Sequence, residues 1–151
     1  MNVLMVCLGN ICRSPLAEGI LKSKVDPRKI QVDSAGTAGF HVGNSPDPRS
    51  ISVALENDIT IAHQRCRKFE VADFDRFDII YAMDKSNYKN IIGLSRTKSD
   101  TEKVRLLLSE IDSEIKEVPD PYYDTEEGFT MVFQLIDNAC TAIAERLERT
   151  L

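Results

Sequence analysis

No apolar run in this 151-residue sequence approaches the roughly 18–20 residues that cross a bilayer, so no membrane partner is expected. Long basic tracts are also missing: Asp and Glu number 24 against 19 Lys and Arg, a formal charge of −5. That balance leaves no footprint for nucleic-acid phosphates, so no nucleic-acid partner is expected either. Repeats and low-complexity segments are absent, and 42% hydrophobic with 28% charged residues excludes extended disorder, a collagen-like repeat or a coiled-coil rod. Met1 to Val6 lack a basic region and run into the polar Gly9-Asn10, so they do not read as a signal peptide. The expectation is a cytoplasmic protein whose four cysteines are reduced thiols rather than a disulfide framework. Its length suits one compact domain, residues 1–151, and is too short for two enzymatic halves.

Val3 to Cys7 is a short continuous apolar run, which predicts a strand buried on both faces and ending at Gly9-Asn10. Ser14-Pro15 supplies an N-cap and a proline at the first helical position, and Leu16, Ala17, Ile20 and Leu21 recur at helical spacing to about Lys24. Ile30 to Ala35 predicts a second strand, Gly36 to Asp47 a long loop, and Asp47-Pro48 the start of a helix through Leu55. Asp78 to Met83 predicts a third strand, Asp84 the cap of a helix toward Ile91-Ile92, and Val104 to Leu108 a fourth strand. Beyond the turn-rich Val118-Pro119-Asp120-Pro121, a final helix carries Phe129, Val132, Phe133, Ile136, Cys140, Ile143 and Leu147 on one face. Alternation of this kind predicts an α/β fold: a single-domain three-layer sandwich with a four-stranded parallel sheet and helices on both faces. Ligands bind such sheets at the carboxyl ends of their strands, where Cys7 lies.

Cys7 to Ser14 reads C-L-G-N-I-C-R-S, a cysteine and an arginine separated by five residues and followed by a hydroxyl, between a strand and a helix. Five intervening residues can curl the backbone so that successive N–H groups point inward, continuous with the positive end of the helix that follows. Gly9 and Asn10 are residue types that tolerate the left-handed angles of such a curl. Arg13 adds a planar fork for two phosphate oxygens. The same surroundings favour a negatively charged Cys7 sulfur, the form that attacks phosphorus, and Ser14 can hydrogen-bond to it. Cys140 and Arg146 repeat the spacing without the glycine, the hydroxyl or the preceding strand, so context rather than spacing distinguishes the first pair.

A phenol with a pKa of ~10 leaves poorly as phenolate, so cleaving an aryl phosphate near neutrality calls for a proton donor. Asp120 is the candidate, held between Pro119 and Pro121 and followed by Tyr122-Tyr123, whose rings can flank an aromatic group. The same residues also fit an ordinary surface turn.

Together these segments resemble the low molecular weight protein tyrosine phosphatases. The signature V-C-x-G-N-I-C-R-S-P stands at Val6 to Pro15, D-P-Y-Y at Asp120 to Tyr123, S-A-G-T at Ser34 to Thr37, P-D-P-R at Pro46 to Arg49 and M-D-x-S-N at Met83 to Asn87. The resemblance implies a phosphate-binding loop after the first strand, with Cys7 as nucleophile, Arg13 as phosphate ligand and Asp120 as acid and then base. It implies that Gly9, Asn10, Ile11, Cys12 and Ser14 bind the substrate in the phosphate loop, with Leu8, Phe40, Tyr122 and Tyr123 lining the substrate cleft. It further implies a supporting network of Asn10, Ser14, Ser34 and His63, whereas His63 read alone is a partly buried histidine at a strand end. Cys12 is implied as the partner of a reversible disulfide with Cys7 under oxidation. No cofactor and no metal are implied. The implied partners are phosphotyrosine-containing proteins, with phosphate or vanadate as active-site anions, for a protein acting as a monomer. Ile11 stands where phosphoarginine-directed relatives tend to have threonine, which favours phosphotyrosine.

Three other readings share parts of this pattern. A thioredoxin-coupled arsenate reductase would need two further cysteines, and only Cys66 and Cys140 could serve. A zinc site would have to draw on Cys7, Cys12, His63 and Cys66 at irregular spacing. A phosphotyrosine-binding module would grip without cleaving.

Overall fold

A computed structural model describes residues 1–151. The chain runs β1 (Asn2–Cys7), α1 (Arg13–Lys24), β2 (Gln31–Gly36), α2 (Pro48–Glu56), α3 (Asp73–Arg76), β3 (Ile79–Ala82), α4 (Lys85–Ile92), α5 (Lys98–Glu102), β4 (Val104–Leu106), a 3₁₀ turn at Leu107–Glu110, and α6 (Glu126–Thr150). The four strands form one parallel sheet in the order β2-β1-β3-β4.

β1 is apolar from Val3 to Cys7 because both of its faces are covered there. Val3, Met5 and Cys7 join a core built with α1, α2 and α6, while Leu4 and Val6 join a second core with Phe69, Phe74 of α3 and Ile91 of α4. β3 divides likewise, with Ile79 and Tyr81 on the first side and Ile80 and Ala82 on the second. From β1 the chain crosses to β2 on one flank and later to β3 on the other. The carboxyl end of β1 is therefore a topological switch point, a crevice where parallel sheets bind ligands.

Three local expectations need correction. Ser14 does not cap α1: the helix begins at Arg13 after Cys12, with no side-chain cap, because the Ser14 hydroxyl turns inward toward Cys7 and Asn10. Of the pair Gly9-Asn10, only Asn10 is left-handed, at φ 57°. At Gly9 a Cβ would stand 3.2 Å from His41 Cδ2, so a side chain there would need that ring to shift by a few tenths of an ångström. The strand expected over Val104 to Leu108 stops at Leu106 and tightens into the 3₁₀ turn. Asp47 and Asp84 do cap α2 and α4, their carboxylates accepting from the N–H groups of Arg49 and Asn87.

Candidate active site

Residues 8–12 wrap around the end of β1 with their carbonyls turned away from the loop centre. Thr37 N–H donates to Cys7 O, Ala38 N–H to Leu8 O and Asp47 N–H to Ile11 O. Cys66 Sγ donates to Asn10 O and Ser50 Oγ to Cys12 O. No backbone N–H from Leu8 to Cys12 donates to a protein acceptor. Outward carbonyls with unclaimed amides are the arrangement of an anion-binding nest, and it leads directly into the uncapped start of α1. Gly36, paired with Cys7 across the sheet, makes room for the loop: a Cβ there would meet Leu8 O at 2.7 Å.

The loop is held from beneath by a polar chain. Cys7 Sγ lies 3.0 Å from Ser14 Oγ, and Asn10 Nδ2 donates to Ser14 Oγ at 2.8 Å and to Ser34 Oγ at 3.0 Å. Ser34 Oγ in turn donates to the buried carboxylate of Glu18 at 2.7 Å, while Asn10 Oδ1 accepts from Arg67 N–H at 2.9 Å. His63 takes no part in this network; it is exposed on a turn and makes no hydrogen bond, which also corrects its reading as a partly buried strand-end residue. Glu18 occupies the end of the chain instead. It lies one helical turn beyond Ser14, a spacing that could have disclosed it.

Arg13 is 2% exposed, and its Nη1 is fixed by Asp84 Oδ2 at 2.6 Å and by Val118 O at 3.0 Å. Burial works against its charge, but Cys7, Asp84 and Asp120 outweigh it and hold the guanidinium firmly protonated. Nη2 faces Asp120 Oδ2 at 3.7 Å, too far for a hydrogen bond. Asp120 Oδ1 accepts from Tyr122 N–H at 3.1 Å, so the carboxylate is held within its own turn with its outer side toward the cleft.

Cys7, Gly9, Ile11, Cys12, Arg13 and Asp120 line a cleft of about 350 Å³ together with Leu8, Phe40, His41, Tyr122 and Tyr123. Phe40 is 75% and Tyr123 95% exposed, and the Tyr122 and Tyr123 rings meet edge to face at 4.9 Å. His41 was not anticipated from sequence, since a lone histidine in a glycine-rich loop carries no periodic signal. Burial, reinforced by the charges of Asp47, Cys7 and Asp120, pushes the Cys12 thiol up to about 12. Burial also raises Cys66 and Cys140. Cys140 is sealed between α6 and α1, remote from the cleft, and no group of three or more His, Cys, Asp or Glu comes together as a metal site. The ligand set Cys7, Cys12, His63 and Cys66 therefore does not assemble.

The model of one family, the low molecular weight phosphotyrosine protein phosphatases, matches residues 2–151. The chain belongs to that family. It is 42% identical over 145 residues to the low molecular weight phosphotyrosine protein phosphatase of Schizosaccharomyces pombe, covering 90% of each chain. A protein tyrosine phosphatase from Entamoeba histolytica, solved with Hepes in its active site, superposes with a TM-score of 0.94 at 34% identity, covering 99% of this chain and 98% of that one. Wzb of Vibrio vulnificus, solved in complex with benzylphosphonate, superposes with a TM-score of 0.85 at 30% identity, covering 96% and 97%. As a family member the chain shares the four-stranded parallel architecture of these phosphatases. No helix of it is long and apolar enough to cross a membrane.

Proposed function

We propose that this member of the family hydrolyses phosphotyrosine in proteins, and small aryl phosphates, through a phosphocysteine intermediate on Cys7. The observation that carries the reading is the convergence of Cys7, Arg13 and Asp120 at the base of one aromatic-walled cleft, above a loop whose amides are unclaimed. Three phosphate oxygens fit the loop amides and the free edge of Arg13, which places phosphorus over the Cys7 sulfur. The sulfur attacks in line, a P–S bond forms as the bond to the phenolic oxygen breaks, and Asp120 delivers its proton to that oxygen. Water then attacks the phosphocysteine, Asp120 takes up a proton from it, and the sulfur leaves with Ser14 Oγ at 3.0 Å to stabilise its charge.

Phe40, Tyr122, Tyr123 and Leu8 supply apolar lining that suits an aromatic ring beside the phosphate. The branched Ile11 favours that ring over a phosphoguanidinium. Phosphate and vanadate bind the same loop as competing anions. We take the protein to act as a monomer, and four unpaired cysteines suit a reducing, cytoplasmic setting.

Hydrolysis of p-nitrophenyl phosphate with a chelator present tests the reading. Turnover abolished by Cys7→Ser is the expected result; turnover unaffected by that change would overturn it. Phosphotyrosine, phosphoserine and phosphoarginine peptides compared on the same preparation test the substrate class, with the first expected to dominate.

A further inference from the structure

Outside the groups that meet the phosphate, one arginine binds several structural parts of the cleft to each other. Arg49 Nη2 donates to Tyr122 O at 2.8 Å and Nη1 to Asp124 O at 3.2 Å, both in the turn that follows Asp120. Its guanidinium is fixed by Asp47, with Nε on Oδ1 at 3.0 Å and Nη2 on Oδ2 at 2.9 Å, and it lies 4.5 Å from the centre of the buried Phe129 ring. The Asp47 backbone N–H is itself bonded to Ile11 O of the phosphate loop at 2.8 Å, and Ser50 Oγ reaches Cys12 O. The start of α2 thus grips the phosphate loop with the Asp47 N–H and the Ser50 hydroxyl, and the Asp120 turn with the Arg49 fork. Asp120 closes the circuit, since it accepts from the N–H of Tyr122, the residue whose carbonyl Arg49 holds.

We infer that Arg49 is a positioning residue that sets the height of the Asp120 carboxyl over the Cys7 sulfur, and so governs proton delivery to the leaving oxygen without touching substrate. The inference rests on Asp120 being the acid of the proposed reaction. Lysine cannot replace arginine there, because one ammonium cannot span Asp47, Tyr122 O and Asp124 O together. Displacing an acid from its donor geometry erodes catalysis where proton delivery limits the rate and spares substrates whose phenol leaves unaided.

The experiment is kcat/KM across aryl phosphates of graded leaving-group pKa for the parent, Arg49→Met, Arg49→Lys and Asp120→Asn, alongside vanadate inhibition. Arg49→Met is expected to lose roughly tenfold or more on the poorest leaving groups and less than about threefold on the best, with vanadate affinity kept. Arg49→Lys, which keeps charge and stem should the first variant fold poorly, is expected to fall between. A leaving-group dependence unchanged from the parent in both Arg49 variants, beside a steepened one in Asp120→Asn, overturns the role of Arg49 alone. A flat loss in Asp120→Asn overturns the acid assignment beneath it.

Discussion

Arg13 and Asp84 meet at 2.6 Å, Nη1 to Oδ2, across 71 residues of sequence. The same carboxylate caps α4 through its other oxygen, accepting from Asn87 N–H at 2.7 Å. One aspartate at the carboxyl end of β3 therefore both starts a helix and aims the guanidinium that rises from the start of α1. The Asp84→Asn variant keeps the cap geometry and removes the charge. It is expected to lower kcat/KM by roughly tenfold to a hundredfold, equally for all leaving groups, and to weaken vanadate inhibition in parallel. Thermal unfolding should show a loss of about 2 kcal/mol, the scale of a hydrogen bond to a charged group. Unchanged vanadate affinity would show that Arg13 is held well enough by Val118 O alone.

Ser14 lies 3.0 Å from Cys7 Sγ and receives Asn10 Nδ2, so its hydroxyl is oriented by one neighbour toward the other. A hydrogen bond to a charged sulfur is worth about 1.5–3 kcal/mol, so Ser14→Ala is expected to slow breakdown of the phosphocysteine roughly tenfold to a hundredfold. Rapid-mixing traces of p-nitrophenol release are the check: the variant should show a larger burst and a slower steady state than the parent. An unaltered burst would remove Ser14 from the departure of sulfur.

Cys12 is buried near Cys7, and burial with the charge of Asp47 pushes its thiol up to about 12. At pH 7 it stays protonated and is a poor target for iodoacetate, so peptide mass spectrometry is expected to find carboxymethylation at Cys7 and none at Cys12 or the sealed Cys140. Peroxide tests the second role proposed for it: oxidation of Cys7 to the sulfenic acid, then condensation with the Cys12 thiol to a disulfide with release of water. The parent should regain activity with added thiol and Cys12→Ala should regain less. Equal recovery would show that no protective disulfide forms.

Stability should depend on pH through a site far from the cleft. Glu110 is nearly buried, which by itself would raise its pKa, but Arg146 Nε at 2.9 Å and Tyr81 OH at 2.8 Å bind the carboxylate and hold it below the usual range. A carboxylate lowered in the folded state stabilises fully above its unfolded pKa of ~4.3, and that contribution is lost as pH falls from there through the folded value. Urea unfolding of the parent is expected to weaken across that acid window. Glu110→Gln should lower stability at pH 7 by about 2 kcal/mol and flatten the acid limb, because Arg146 and Tyr81 lose their charged acceptor. A variant with the parent's acid slope would place the sensitivity elsewhere.

The strands, the long helices and the residues at the base of the cleft were legible because each has a local signal. β1 announces itself by five consecutive buried residues, α6 by its apolar face, and the loop by a cysteine, an arginine and a hydroxyl in strand-to-helix context. α3 and α5 left no trace, since helices of four and five residues have too few turns to show a period. Asp84 and Arg49 were missed as site neighbours for another reason: their partners Arg13 and Tyr122 are 71 and 73 residues away, and no pattern in one sequence encodes such meetings. His63 failed in the opposite direction, because a motif-borne role presumed a burial that its exposed turn does not provide.

The bond from Arg13 Nη1 to Val118 O spans 105 residues. During synthesis the sulfur and the guanidinium emerge from the ribosome early, and they wait for almost the whole chain before Val118 and Asp120 arrive to complete their setting. On the proposed mechanism a growing chain therefore lacks its acid until its last third has been made. Loss of that segment by proteolysis would leave the loop motif intact in covalent terms and without Val118 and Asp120 beside it.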